Sequence, residues 1–181
     1  MTGIAKKSPQ IQSVDPVWEA VRAGAQDILD REPSLANLVL ASILNHDSFE
    51  AALAHRLAAR LDHEDVSADI IRQAFADIVR DHPEIGEAAC ADLAATLERD
   101  PACHRAVEPL LYFKGYQAIQ THRFAHAMHR DGRGDFALYL QSRSSQVFQV
   151  DINPAVVMGK GIMLDHGTGL VIGETAVIGD N

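Results

Sequence analysis

The chain has 181 residues, 47% of them hydrophobic and 6% aromatic, and a formal net charge of −9. That length suits one domain or two small ones, and the acidic balance argues against general nucleic-acid or anionic-membrane binding. Cys90 and Cys103 make neither a disulfide framework nor a zinc spacing and read as reduced, buried thiols. No run of about 18 apolar residues is present to span a membrane. The N-terminus carries Lys6 and Lys7 without an apolar stretch after them, so it does not read as a signal peptide, and a cytoplasmic location is expected.

Residues 1–14 read as a flexible tail. Asp15-Pro16 then reads as a helix start, because Asp accepts from free helical amides and Pro suits the first turn. Val17, Trp18, Val21, Ile28 and Leu29 share one face of that helix. Glu32-Pro33-Ser34 breaks it and opens a second helix with Leu35, Leu38, Val39 and Leu44 apolar. Asp47 with Glu50 predicts a capping box before Phe49, Leu53, Leu57 and Leu61. Ser67 opens a helix burying Ile71, Phe75 and Ile78, which His82-Pro83 ends. Ile85, Ala89, Leu93 and Leu97 mark the next. Asp100-Pro101 again reads as a cap followed by Pro. One long helix is predicted over about 109–130, a turn over Asp131–Gly134, and a last helix over about 135–146. Residues 15–148 thus read as a helical domain of short, alanine-rich helices.

After Val150 glycine becomes frequent, charge thins out and β-branched residues rise. Ile152, Met158 and Leu164 are six apart, as are Ile172 and Ile178, but Leu164 to Ile172 is eight. The rhythm therefore slips by two across Asp165–Gly169. An aliphatic followed by glycine or a small residue, repeated every six, is a hexapeptide β-helix signal. Residues 149–181 supply its first coils, under two by count. A glycine-rich strand region of ordinary kind is the competing reading.

His166 lies at the slip, inside Leu-Asp-His-Gly-Thr-Gly. An imidazole near neutrality beside a carboxylate suits a general base for a hydroxyl. Asp151, fifteen residues upstream, is near one coil away and is expected to stack beside His166 and orient its ring. A solvent-exposed turn histidine with an unrelated aspartate is the plainer alternative. His122, His126 and His129 share one face of the long helix, but HExxH is absent because residue 123 is Arg. A solvated or subunit-facing surface is expected there, and no metal.

Four segments, Pro109-Leu-Leu-Tyr-Phe-Lys-Gly-Tyr-Gln-Ala, Phe148-Gln-Val-Asp-Ile, Gly161-Ile-Met-Leu-Asp-His-Gly-Thr-Gly and Val171-Ile-Gly-Glu-Thr-Ala-Val-Ile, resemble the serine acetyltransferase family, over about Val17 to the end. The resemblance implies a mostly α fold, a helical N-terminal domain followed by the start of a left-handed parallel β-helix. It implies acetyl transfer from acetyl-CoA, a co-substrate, to the L-serine hydroxyl, the first step of cysteine synthesis from serine. It assigns His166 as base, Asp151 as its carboxylate partner, and Asp100 and Asp165 to the amine of serine or of the feedback inhibitor L-cysteine. Glu174 takes a supporting role. It implies no bound cofactor or metal, and a homotrimer or a hexamer built as a dimer of trimers. Asn153 stands where many members have His.

The family pattern continues through further coils, which carry an Arg-His pair for the serine carboxylate, most of the acetyl-CoA groove and a sulfhydrylase-binding tail. Those features lie outside these 181 residues. From Ser144 to Asn181 the only cation of Lys or Arg type is Lys160, so this segment offers no obvious site for polyanionic CoA. The expectation is therefore a chain truncated within the β-helix, with little activity of its own. The competing class is a non-catalytic helical oligomerisation module with a remnant β tail.

Overall fold

The computed structural model describes residues 15–181. The tail expected over residues 1–14 and the side-chain cap expected of Asp15 lie outside the described residues. Helix α1 runs Asp15–Arg31, and Glu32-Pro33 ends it. The second apolar stretch is not one regular helix. It is a 3-10 turn over Pro33–Leu35, a single turn of α2 at Ala36–Val39 and a π turn at Leu40–Leu44. Then come α3 (Phe49–Leu61), α4 (Ala68–Asp81), α5 (Glu84–Arg99), α6 (Val107–Tyr112), α7 (Lys114–Arg130) and α8 (Gly134–Phe148).

Two caps differ from expectation, at Asp47 and Asp100, while Ser67 opens its helix as expected. Ser48, not Asp47, caps α3: its backbone is extended and its hydroxyl accepts from the Ala51 amide at 3.2 Å. The shift follows from geometry, because a cap accepts from the amide three residues on and Phe49 is the first buried helical position. Ser67 stands at the start of α4, but the carboxylate of Asp62 takes the Ala68 amide at 2.6 Å. Asp100 starts no helix. It closes α5, and its side chain accepts from the Ala102 amide at 2.8 Å in a tight turn.

The long helix predicted over 109–130 is two, broken at Phe113, whose backbone is extended. Helix ends leave carbonyls unpaired, and a buried break needs substitutes. Here Gln117 donates its side-chain amide to Leu110 O at 2.8 Å, and Arg56 donates to Leu111 O at 2.6 Å. The core between the helices holds Phe49, Leu53, Leu57, Ile71 and Leu93, with Phe75 stacked on Phe124 at 4.1 Å between ring centroids. Among the described residues, no helix is long and apolar enough to cross a membrane.

The chain then turns through Gln149, whose φ of 59° is left-handed, into β1 (Val150–Ile152) and β2 (Val157–Met158). After the Asp165–Gly169 loop come β3 (Leu170–Ile172) and β4 (Val177–Ile178). β1 pairs in parallel with β3 and β2 with β4, so one β coil lies on the next. The register places Ile152 beside Ile172 and Met158 beside Ile178. Each stacked pair is therefore three hexads plus the two extra residues of the slip. A coil of that length corrects the fifteen-residue stacking expected for Asp151 and His166, since Asp151 lies beside Val171.

Helix α7 clamps the first coil. Arg123 and Asp92 form a buried ion pair, with Arg123 Nε donating to Asp92 Oδ2 at 2.9 Å and Nη2 to Oδ1 at 3.0 Å. Asp92 also accepts from Gln120 at 2.9 Å and from the Ile162 amide at 2.8 Å. Burial pushes the Asp92 carboxyl up, while Arg123 and the other donors pull it down. A carboxylate with no exposure is tolerated only with such a complete set of donors. Arg123 donates further to Gly159 O at 2.7 Å, His122 lies 3.2 Å from Val156 O, and His126 lies 2.8 Å from Pro154 O. The histidine face expected to be solvated or subunit-facing is thus turned to the β coil at His122 and His126; only His129 is exposed. These side chains satisfy carbonyls at coil corners, where no neighbouring strand does.

Candidate functional site

A cavity of about 650 Å³ opens where the helices meet the slip in the β coil. Arg60 comes from the end of α3, Thr96 and Asp100 from the end of α5, and Tyr112 from the end of α6. Lys114 comes from the first residue of α7, and Asp165 and His166 from the loop between the stacked coils. Three of the four residues singled out in the sequence, Asp100, Asp165 and His166, therefore line one cavity.

The fourth does not. Asp151 lines a separate surface groove with Gln141 and Ser145, and its carboxylate accepts from Gln141 at 2.6 Å. The carboxylate beside His166 is Asp165, 3.6 Å away. Glu174 lies on an exposed turn between β3 and β4.

Local backbone explains how His166 is presented. The two residues beyond the hexad rhythm cannot enter a strand pair, so the chain bulges. His166, Gly167 and Gly169 adopt left-handed φ of 50°, 69° and 81°. At Gly167 a Cβ would come within 2.9 Å of the Leu164 side chain, so glycine is favoured by its left-handed backbone and spares Leu164 a shift. The His166 ring is left 86% exposed at the cavity mouth, free to meet a ligand.

The cavity has a charged asymmetry. Asp100 stands at the C-terminal end of α5, where helix carbonyls already make the potential negative, and Asp165 lines the same cavity. Lys114 stands at the N-terminal, positive end of α7, and Arg60 lines the cavity from the end of α3, its guanidinium over the Phe148 ring. A small ligand with a cationic and an anionic end finds both signs here. Tyr116 closes the floor, its buried hydroxyl donating to Ala89 O at 3.0 Å.

Arg60, Tyr112 and Lys114 were not singled out as site residues from the sequence. Lys114 and Gly115 sit in the motif that carried the family resemblance, but nothing in the local pattern shows that a helix begins there facing the loop.

Residues 17–121 match the family model described as serine acetyltransferase, N-terminal. The chain is 51% identical over 168 residues to probable serine acetyltransferase 3 of Oryza sativa subsp. japonica, covering 92% of this chain and 56% of that protein. It superposes on serine acetyltransferase from Brucella abortus strain S19 in complex with coenzyme A, with a TM-score of 0.92 and 50% identity over 96% of this chain and 69% of the other. A serine acetyltransferase complex with cysteine gives a TM-score of 0.89 and 39% identity, over 91% and 64%. The chain spans about half the length of the curated relatives it matches. With the family model matching over half of its residues and these identities over nearly all of it, the chain belongs to the serine acetyltransferase family.

Proposed function

We propose that the protein is a serine O-acetyltransferase, forming O-acetyl-L-serine and CoA from L-serine and acetyl-CoA. The observation that carries this reading is the convergence of Asp100, Asp165 and His166 on one cavity. Asp100 and Asp165 receive the serine ammonium. His166 takes the proton from the serine hydroxyl as that oxygen attacks the thioester carbonyl. The tetrahedral intermediate collapses, the C–S bond breaks, and the imidazolium returns its proton to the departing thiolate. Transfer is direct, since no thiol stands ready as a nucleophile: burial pushes Cys90 up to about 12 and raises Cys103.

Asp151 remains the candidate to orient His166, but from another subunit. Within one chain its carboxylate belongs to Gln141. This reading requires the homotrimer implied by the family, alone or paired as a hexamer, to bring the Asp151 of one protomer to the His166 of another. L-Cysteine, with the same ammonium and carboxylate as serine, fits the same cavity as a feedback inhibitor, and the cysteine complex of a relative supports this. The coenzyme A complex of the Brucella protein supports acetyl-CoA as co-substrate. The hexad spacing supports the hexapeptide-repeat acyltransferase class, and the two unpaired thiols support a cytoplasmic setting.

The test is release of CoA thiol from acetyl-CoA, measured in a chain continued through the length its relatives have. Release should require L-serine, and His166→Ala should lower it at least about a hundredfold while leaving assembly intact. Release without serine, or turnover that survives the substitution, would refute the assignment.

A further inference from the structure

We propose that Lys114 is a positioning residue, whose ammonium latches Thr168 and so holds the His166 loop against the start of α7. The inference rests on His166 being the base only for its catalytic consequence; the latch itself stands on geometry.

The Asp165–Gly169 loop has little to fix it. It contributes no residue to a strand pair, and three of its residues are left-handed. Its backbone bonds are local or run to the connection after α8: the Gly167 amide donates to Asp165 O, the Leu170 amide to Gly167 O at 3.0 Å, and the Gly169 amide to Gln149 O at 2.8 Å. Among the described residues, one side-chain hydrogen bond ties the loop to a helix, that from Lys114 Nζ to Thr168 Oγ1. Its two ends bracket His166: Thr168 lies two residues beyond it, and Lys114 lines the same cavity.

A second observation fixes the approach. Gly115, next to Lys114, is buried against the backbone carbonyl of Leu164, so close that a Cβ would overlap the oxygen. The helix start and the loop base are thus in backbone contact, and Lys114 reaches from that contact to the loop's far side. Lysine suits the task. Its ammonium offers three donors and no acceptor, so Thr168 must accept. Its charge also opposes Asp100 and Asp165 in the cavity, which favours keeping it there. A loop freed at Thr168 would let His166 wander by distances that matter to proton transfer.

The test pairs amide exchange with kinetics. Lys114→Met keeps the aliphatic stem and removes the donor; Thr168→Val removes the acceptor. In the 181-residue chain, exchange at Gly167, Gly169 and Leu170 should rise about fivefold in either variant, the equivalent of one ordinary solvent-exposed hydrogen bond. The double variant should be no worse than either single one, and Thr168→Ser should behave like the parent. Exchange in the rest of α7 should not change, whereas a merely structural lysine would loosen the helix as a whole. In a chain of the relatives' length, both variants should lower kcat about tenfold, and Thr168→Val, which leaves the Lys114 charge in the cavity, should keep KM for serine within about twofold. Unchanged exchange at those three amides overturns the latch. So does faster exchange with unchanged kcat in a chain that His166→Ala inactivates. If His166→Ala leaves turnover intact, the base assignment has failed, and exchange alone decides the latch.

Discussion

His122 shows how a residue can be legible by type and misread by setting. The spacing of His122, His126 and His129 correctly puts them on one helical face, but the face is covered at two of the three. Periodicity describes one helix; it carries no trace of the carbonyls at the corners of a coil thirty residues later. Burial drives the His122 pKa down to about 4, with His126 and Arg123 adding to the effect and the Val156 carbonyl opposing it. Its ordinary value is near 6.5, so between those limits the unfolded chain binds more protons than the folded one. Stability is therefore full above about pH 6.5 and declines as pH falls towards 4, by about 3 kcal/mol in all. His82 works in the opposite sense. A hydrogen bond to Asp131 raises its pKa, so its stabilisation is present at low pH and fades as pH rises. Urea melts of the parent at pH 7 and pH 5 should show the net loss. His122→Gln keeps a donor for Val156 O and cannot titrate, so it should lose less over the same interval. Equal losses would mean that His122 does not drive the acid side of the stability curve.

At the scale of elements, the first coil is shaped by α7 as much as by its own sequence. The contacts run in opposite order along the two segments: Lys114 meets Thr168, Gly115 meets Leu164, Arg123 meets Gly159, and His126 meets Pro154. Gly115 is the tightest of them, which makes it a direct probe of the docking. Alanine favours a helix over glycine by about 1 kcal/mol, so propensity alone predicts a gain from Gly115→Ala. The Leu164 carbonyl belongs to the backbone and cannot swing aside as a side-chain tip would, so the strain should win and leave a net loss of about 1–3 kcal/mol. Gly134→Ala is the matched control, at the first residue of α8 with nothing within 4 Å of the added Cβ. It should be neutral or stabilising. A raised melting temperature for Gly115→Ala would show that the coil does not press on α7 as drawn. Much of this level was readable beforehand. The helix content, the hexads and the two-residue slip were all visible in the sequence. The break at Phe113 was not, because it depends on Arg56 and Gln117 taking the freed carbonyls. Nor was the coil length, because the slip reads as an interruption of the rhythm until the strand register shows that it lengthens the coil.

For the whole molecule, that coil length decides how the candidate site is assembled. Asp100, Asp165 and His166 meet within one chain because the C-terminal end of α5 and the slip loop border the same cavity. Asp151 is paired with His166 both by its spacing and by the family resemblance, and it is the spacing argument that fails: within one chain Asp151 stands by Val171 and is bonded to Gln141. If Asp151 nevertheless serves His166, it does so between protomers. That arrangement makes a distinctive prediction for chains of the relatives' length. Asp151→Asn and His166→Ala should each be nearly inactive alone. Unfolded together and refolded as mixed oligomers, they should recover activity. An intact Asp151 on the His166→Ala protomer then faces an intact His166 on the Asp151→Asn protomer. Random mixing leaves only a fraction of interfaces so paired, so recovery should be partial and should grow with the proportion of mixed assemblies resolved by native mass spectrometry. A pair acting within one chain yields no intact site in any mixture, because every chain lacks one member. Absence of recovery in assemblies shown to be mixed would therefore exclude the arrangement between protomers and leave Asp165, 3.6 Å from the ring, as the carboxylate partner of His166.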